Sequence, residues 1–334
     1  MKEVNKIYKN KRVAITGASG YISSTLIDVL GENCKSILLV TSNPQKNSSD
    51  KHKFLVADIK KRETWEVIIK NADIIFHLAG NTSVYNAIKD PLSSLESTML
   101  PIEHFISVSQ QYNTCTKIIY SSTASIYGIG SHSPIDEFVS PDPQTIYDLH
   151  KLFAEKELLL ASKKKIIQCV ILRISNVYGP SKSTSSSVDR GVLNRLINQA
   201  VNGENVLLYG GGEYLRDYIY IEDVAKAFLM SGVLESMNNR IFNLASGERN
   251  TIKNVIEIAI NKINKILSKN VSILNVPWPS ESDDIERRNF VADISALKKI
   301  GWTPQIKIDN GIDLTISHFI NNKKNDNKKI RIMD

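Results

Sequence analysis

Tyr147 and Lys151, in the stretch YDLHK, stand four residues apart within the helical pattern IYDLHKLFAEKELLLA. That spacing puts a phenol and an ammonium on one helix face, where the positive charge favours phenolate and brings the tyrosine towards working pH. Such a tyrosine can pass a proton to a sugar or ketone oxygen. Taken alone, the pair also fits a surface contact on a core helix. About two dozen residues earlier, KIIYSSTASIYG carries the consecutive hydroxyls Ser121, Ser122 and Thr123. A strand end, a loop and a helix start converge over such a separation, so a hydroxyl there can bond the oxygen that Tyr147 protonates. A third group, TGASGYIS, spaces Gly17 and Gly20 as GxxG. Glycines there allow a tight turn and close approach of backbone to a pyrophosphate, whose charge the following helix N-terminus meets.

These residues need a scaffold that brings strand ends together. The runs RVAIT, SILLV, KFLVA, DIIFHLA, KIIYSS and IIQCVILRI are short, rich in β-branched residues and separated by helical stretches, the pattern of buried parallel strands. That succession predicts a doubly wound α/β sheet over the first 175 or so residues, with the ligand at the carboxyl ends of the strands. After Pro180 come a Ser-rich loop, a helix near 189 to 202 and a strand VLLYGGG. IEDVAKAFLM and IFNLASG then read as helix and strand returning to the sheet. The predicted division is a cofactor domain of 1–176 plus about 216–247, a smaller discontinuous substrate lobe of 177–215 plus 248–322, and a basic tail of 323–334.

Composition narrows the class. The chain has 334 residues, of which 42% are hydrophobic and 23% charged, enough to bury one large core or two modest ones and incompatible with a disordered or disulfide-stapled protein. No apolar run is long enough to cross a bilayer and MKEVNKIYKNKRVAITG lacks a signal-type apolar segment, so a cytoplasmic protein without membrane contact is expected. Cys34, Cys115 and Cys169 are odd in number and widely separated, as expected of reduced thiols in core positions. The net charge of +7 sits in short clusters such as Lys163–Lys165 and the tail. They lack interleaved aromatics, which argues against nucleic-acid binding.

From TGASGYIS through HLAG, SSTASIYG, YDLHK, LRISNVYGP and RDYIYIEDVA to FNLASG and DISALKKIGWTP, the chain resembles the extended short-chain dehydrogenase/reductase superfamily, specifically the NAD-dependent epimerase/dehydratase family acting on nucleotide sugars. The resemblance implies a Rossmann-like fold, with Tyr147 as catalytic acid/base, Lys151 on the nicotinamide ribose and Thr123 as hydroxyl partner. It also implies that Gly17, Ser19, Gly20, Tyr21 and Ile22 lie along the pyrophosphate, Asp58 and Ile59 by the adenine, and Leu78, Ala79 and Gly80 along the ribose. Asn176 and Arg216 would meet the substrate diphosphate, with Ser125 also on the substrate side. Relatives pair through helices equivalent to those near 92 to 112 and 146 to 161, which implies a homodimer.

The departures from the family pattern refine this expectation. Ser23 replaces the usual third glycine, implying a slightly displaced helix without loss of binding. Ala124 and Ser125 stand where 4,6-dehydratases carry an Asp-Glu pair, which excludes that chemistry on acid/base grounds. The arginine expected near Asp283 is missing, leaving Arg287 or Arg288 as its substitute. Thr41, Ser42 and Asn43 occupy the end of the second strand, where NAD-binding relatives place a carboxylate. With Lys46 nearby they suit a 2'-phosphate, so NADP is favoured and NAD is the alternative. Three functions follow: an NADPH-dependent reductase of 4-keto sugar nucleotides, which is favoured, an NAD-dependent C4 epimerase, and a non-catalytic dinucleotide-binding protein.

Overall fold

The computed structural model describes residues 2–43, 51–129, 134–181 and 191–333, apart from the side chains of residues 2, 3, 5 and 324–333. Along the chain the strands are β1 (Arg12–Thr16), β2 (Ser36–Thr41), β3 (His52–Val56), β4 (Ile74–His77), β5 (Lys117–Thr123), β6 (Gln168–Ile174), β7 (Asn176–Tyr178), β8 (Val206–Tyr209), β9 (Leu215–Arg216), β10 (Tyr218–Tyr220), β11 (Arg240–Leu244), β12 (Asn250–Thr251) and β13 (Ile273–Val276). The helices are α1 (Lys2–Tyr8), α2 (Tyr21–Leu30), α3 (Arg62–Asn71), α4 (Val84–Lys89), α5 (Pro91–Gln111), α6 (Ile146–Lys163), α7 (Val192–Asn202), α8 (Ile221–Val233), α9 (Ile252–Leu267), α10 (Ser295–Lys299) and α11 (Ile308–Met333).

Seven parallel strands make the central sheet in the order β11-β6-β5-β4-β1-β2-β3. The winding reverses between β1 and β4, and a ligand crevice belongs at their carboxyl ends. Both faces are covered, which is why the strands read as continuous apolar runs. Val13, Ile15, Phe76, Ile119, Val170 and Leu172 face a core shared with Leu26 and Phe228. The alternate residues Ala14, Ile75, Ile118, Tyr120 and Ile171 face another, filled by Trp65, Phe105 and Leu158. Each of these side chains is fully buried or nearly so, and burying one typically contributes about 1.5–3 kcal/mol.

A third core gathers Leu196, Ile197, Val255, Ile256, Ile260 and Ile312 from α7, α9 and α11. Asp217 ties later segments to it: its buried carboxylate accepts hydrogen bonds from the Ser246 amide and hydroxyl (2.7 Å each), the Gly247 amide (2.9 Å) and the Ala292 amide (3.2 Å). IFNLASG does return to the sheet, as β11 beside β6. Two readings need correction. VLLYGGG ends as a strand at Tyr209, because Gly210, Gly211 and Gly212 turn at positive φ. Cys115 is exposed, while Cys34 and Cys169 are buried. The basic tail continues the backbone of α11 to Met333. The TSSS loop lies outside the described residues, and among those described no helix is long and apolar enough to cross a membrane.

Candidate active site

The glycine loop is built for backbone contact. Gly17 has φ +68°, and a Cβ on it would lie 2.9 Å from Ala79 Cα, so a larger residue would displace the loop after β4. The Gly17 carbonyl accepts from the Gly20 amide at 2.8 Å. Gly20 caps α2 without a side chain, which leaves first-turn amides and the positive helix end for an anion. A cavity of about 880 Å³ opens here. Gly17, Ser19 and Gly20 line it beside Thr41, Ser42 and Asn43 after β2, Asp58 and Ile59 after β3, and Leu78, Ala79 and Gly80 after β4. Free backbone amides at a helix start, beside a cleft at the carboxyl ends of the strands, suit the phosphates of a dinucleotide. Tyr21 and Ile22 do not line it. The Tyr21 hydroxyl instead donates to the Gly179 carbonyl (2.6 Å) and accepts from Asn194 (2.9 Å), joining α2 to the third core. Ser23 packs with its hydroxyl buried and without a hydrogen-bond partner among the described residues.

At the end of β2, Thr41 Oγ1 accepts from the Asn43 amide (3.1 Å) and donates to Ser19 Oγ (3.4 Å). Lys60 and Lys89 line the same cavity, as does Asp90. Lys46 lies outside the described residues. The Asp58 carboxylate accepts from the Lys60 amide at 2.9 Å, and the Ile59 carbonyl accepts from the Trp65 ring at 2.7 Å, so α3 fixes this corner. His77 bonds Thr16 at 2.8 Å and burial pulls it down to about 3.

Thr123 closes β5 and caps the turn that follows: its Oγ1 accepts from the Ser125 amide (3.2 Å) and bonds Ser125 Oγ (2.7 Å). Thr145 caps α6, whose first turn sets Tyr147 beside Thr123, near enough for that hydroxyl to favour its ionisation. Strand end and helix start therefore converge as the spacing predicted. Lys151 departs from expectation: buried at 4% exposure, it donates to the Ser121 carbonyl (2.8 Å) and lies over the Tyr120 ring. Burial pulls its ammonium down to about 8 against the pull of Glu155. The tyrosine is also moved opposite to the sequence reading. Burial and then the neighbouring Asp148 charge push Tyr147 well above its ordinary value, and only the Thr123 hydrogen bond opposes them.

Asp148 was overlooked. It is fully buried, and its carboxylate accepts from Ser125 Oγ and from Thr145 Oγ1 (2.7 Å). No local pattern in the sequence marks it out, since α6 also buries His150, Lys151 and Glu155. On the substrate side, Asn176 Nδ2 donates to the Asp217 carbonyl at 3.1 Å. The guanidinium of Arg216, expected to be open towards a diphosphate, donates to the carbonyls of Leu215, Glu286 and Arg288. Burial, then the adjacent Arg288 charge, pulls it down to about 10. Arg287 pairs with Asp284 at 2.8 Å and lies over Trp278. Arg288 is the inward one, near enough to Asp148 to act on its charge, and its Nε has no hydrogen-bond partner among the described residues.

Comparison with known proteins gives a consistent family. Residues 13–274 match the NAD dependent epimerase/dehydratase family. The chain is 26% identical over 321 residues to the UDP-glucose 4-epimerase of Mycolicibacterium smegmatis, covering 93% of this chain and 99% of that protein. It is 29% identical over 317 residues to the dTDP-4-dehydro-6-deoxyglucose reductase of Escherichia coli, covering 91% and 96%. Among solved structures it resembles the UDP-glucose 4-epimerase of Thermotoga maritima with UDP-glucose (TM-score 0.81, 26% identity, 93% and 99% covered).

Proposed function

We propose, from the premise that this chain belongs to the NAD-dependent epimerase/dehydratase family of nucleotide-sugar enzymes, that it is an NADPH-dependent reductase acting at C4 of a 4-keto sugar nucleotide. One observation carries the choice of cofactor: Thr41, Ser42 and Asn43 put no carboxylate at the end of β2, and Lys60 and Lys89 line the same cavity. Hydroxyl and amide groups at that strand end suit a 2'-phosphate, whereas an aspartate there would repel it; of the two cavity lysines, Lys60 pairs with Glu96 at 3.6 Å. When bound, the nicotinamide supplies the hydride. Tyr147 protonates the sugar oxygen, Thr123 hydrogen-bonds the same oxygen, and Lys151 holds the ribose. Arg216, Arg288, Asn176 and Ser125 border the sugar-nucleotide side. In this reading the sheet of 1–176 plus about 216–247 holds the cofactor and the discontinuous lobe holds substrate.

The decisive measurement is binding and consumption of both reduced nicotinamides with dTDP-4-dehydro-6-deoxyglucose. NADPH is expected to bind more tightly than NADH and to be consumed each turn, with the preference lost in Thr41→Asp. The second reading, a C4 epimerase, is favoured by the UDP-glucose 4-epimerases among its relatives. That enzyme would retain NAD through dialysis and convert UDP-glucose without net change at the reduced-nicotinamide band. Tight, unexchanged NAD with no NADPH consumption would overturn the reductase and favour the epimerase. Cofactor binding without turnover of any sugar nucleotide would favour the non-catalytic reading.

A further inference from the structure

Asp148 has two bonds on its carboxylate and a chain of hydroxyls leading from it to the proposed acid. Oδ2 accepts from Thr145, Oδ1 from Ser125, Ser125 Oγ lies 2.7 Å from Thr123 Oγ1, and Thr123 stands beside Tyr147, whose ionisation it favours. Each hydroxyl has one proton to give. While Asp148 is ionised it offers only lone pairs, so the Ser125 proton must point at it. The contact between Ser125 and Thr123 is then made by the Thr123 proton. Thr123 is left with lone pairs alone to present to Tyr147 and to any substrate oxygen placed beside it.

A proton on Asp148 Oδ1 reverses every bond in the chain. Asp148 then donates to Ser125, Ser125 donates to Thr123, and the Thr123 proton is released towards the site. We propose that Asp148 is a positioning residue that sets the sense of the Thr123–Ser125 chain, making Thr123 an acceptor when the carboxylate is ionised and a donor when it is protonated. The inference rests on the reading of Tyr147 and Thr123 as the groups that act on the substrate oxygen. Reduction of a ketone places negative charge on that oxygen, and a donating Thr123 stabilises it while an accepting one does not.

The groups facing the carboxylate are Ser125 on the turn after β5, Thr145 and Tyr147 at the start of α6, and Arg288 on the 284–288 turn. Burial raises Asp148 above the usual aspartate range against the Ser125 and Thr145 hydrogen bonds and the Arg288 charge. Ketone reduction is therefore favoured on the acid side of the Asp148 titration and falls as pH rises through it.

The test is kcat and KM for NADPH-dependent reduction of dTDP-4-dehydro-6-deoxyglucose across pH, in the wild type, Asp148→Asn, Ser125→Ala and the double variant, with thermal unfolding as the check on folding. The wild type is expected to lose about tenfold in kcat through one midpoint as pH rises, with KM little changed. The amide of Asp148→Asn can donate to Ser125 at every pH, so that step should vanish while unfolding stays cooperative. Ser125→Ala severs the chain, and adding Asp148→Asn to it should change nothing more. A step that persists in Asp148→Asn, a wild-type profile without one, or losses that multiply in the double variant would overturn the assignment. Should the wild type turn over no sugar nucleotide, or Tyr147→Phe remain active, the functional reading itself would fall and take this inference with it.

Discussion

Tyr147 combines an acid's position with an ionisation that its surroundings oppose: it is half-buried, next to Asp148, with only Thr123 favouring the charged form. Removing its hydroxyl should cost about two to four powers of ten in turnover, the usual weight of a general acid/base, with the cofactor still bound. Steady-state rates and NADPH titration of Tyr147→Phe check this, and near-normal turnover would remove Tyr147 from the mechanism. Lys151 gives a pH dependence of definite sign. Burial pulls its ammonium down to about 8, so the charge offered to a ribose is present below that pH and lost as pH rises through it. Cofactor affinity should weaken above about pH 8 and lose that dependence in Lys151→Met, measured by calorimetry. Both residues were legible because a spacing of four on a helix survives any tertiary arrangement. Asp148 was not, because its buried state depends on α6 meeting the turn after β5, which no local pattern states.

Among the elements, the 284–288 turn organises the substrate side. It is held by Arg216, at the end of β9, through the carbonyls of Glu286 and Arg288, and it turns Arg288 inward while Arg287 stays at the surface with Asp284. Arg216→Ala should weaken sugar-nucleotide binding by about 1.5–3 kcal/mol, the range for a charge-assisted contact. NADPH affinity should hold, since the cavity residues lie on the loops after β1, β2, β3 and β4 and on α4 and α5, and Arg216 is not among them. Calorimetry with each ligand decides: a fall in NADPH affinity with sugar-nucleotide affinity unchanged would place Arg216 on the wrong side. The sheet strands were readable because parallel strands buried on both faces are apolar throughout. The lobe was less so, since β8 pairs with β13 and β9 with β12 across stretches whose own patterns are short.

Across the whole molecule, charge and apolar surface are distributed unevenly. Asp217 joins β9 and β10 to Ser246, Gly247 and Ala292, a polar joint that a lone aspartate in RDYIY could not announce. On α5 and α6, packed against each other, Leu92 is 65% exposed, Leu160 55% and Phe153 44%, and Leu95 and Leu100 are exposed too. Exposed apolar residues on two neighbouring helices are costly in water, and we propose that they pair with a second copy of the chain. A second copy presenting the same pair would cover them in a symmetric interface, where the patch meets itself. Light scattering at micromolar concentration should therefore give the mass of two chains. Phe153→Glu combined with Leu160→Glu should give the mass of one, because each buried carboxylate would lack a partner. NADPH affinity should stay within about threefold, since neither residue lines the cofactor cavity. A wild-type monomer, or a double variant that remains a dimer, would rule out α5 and α6 as the interface.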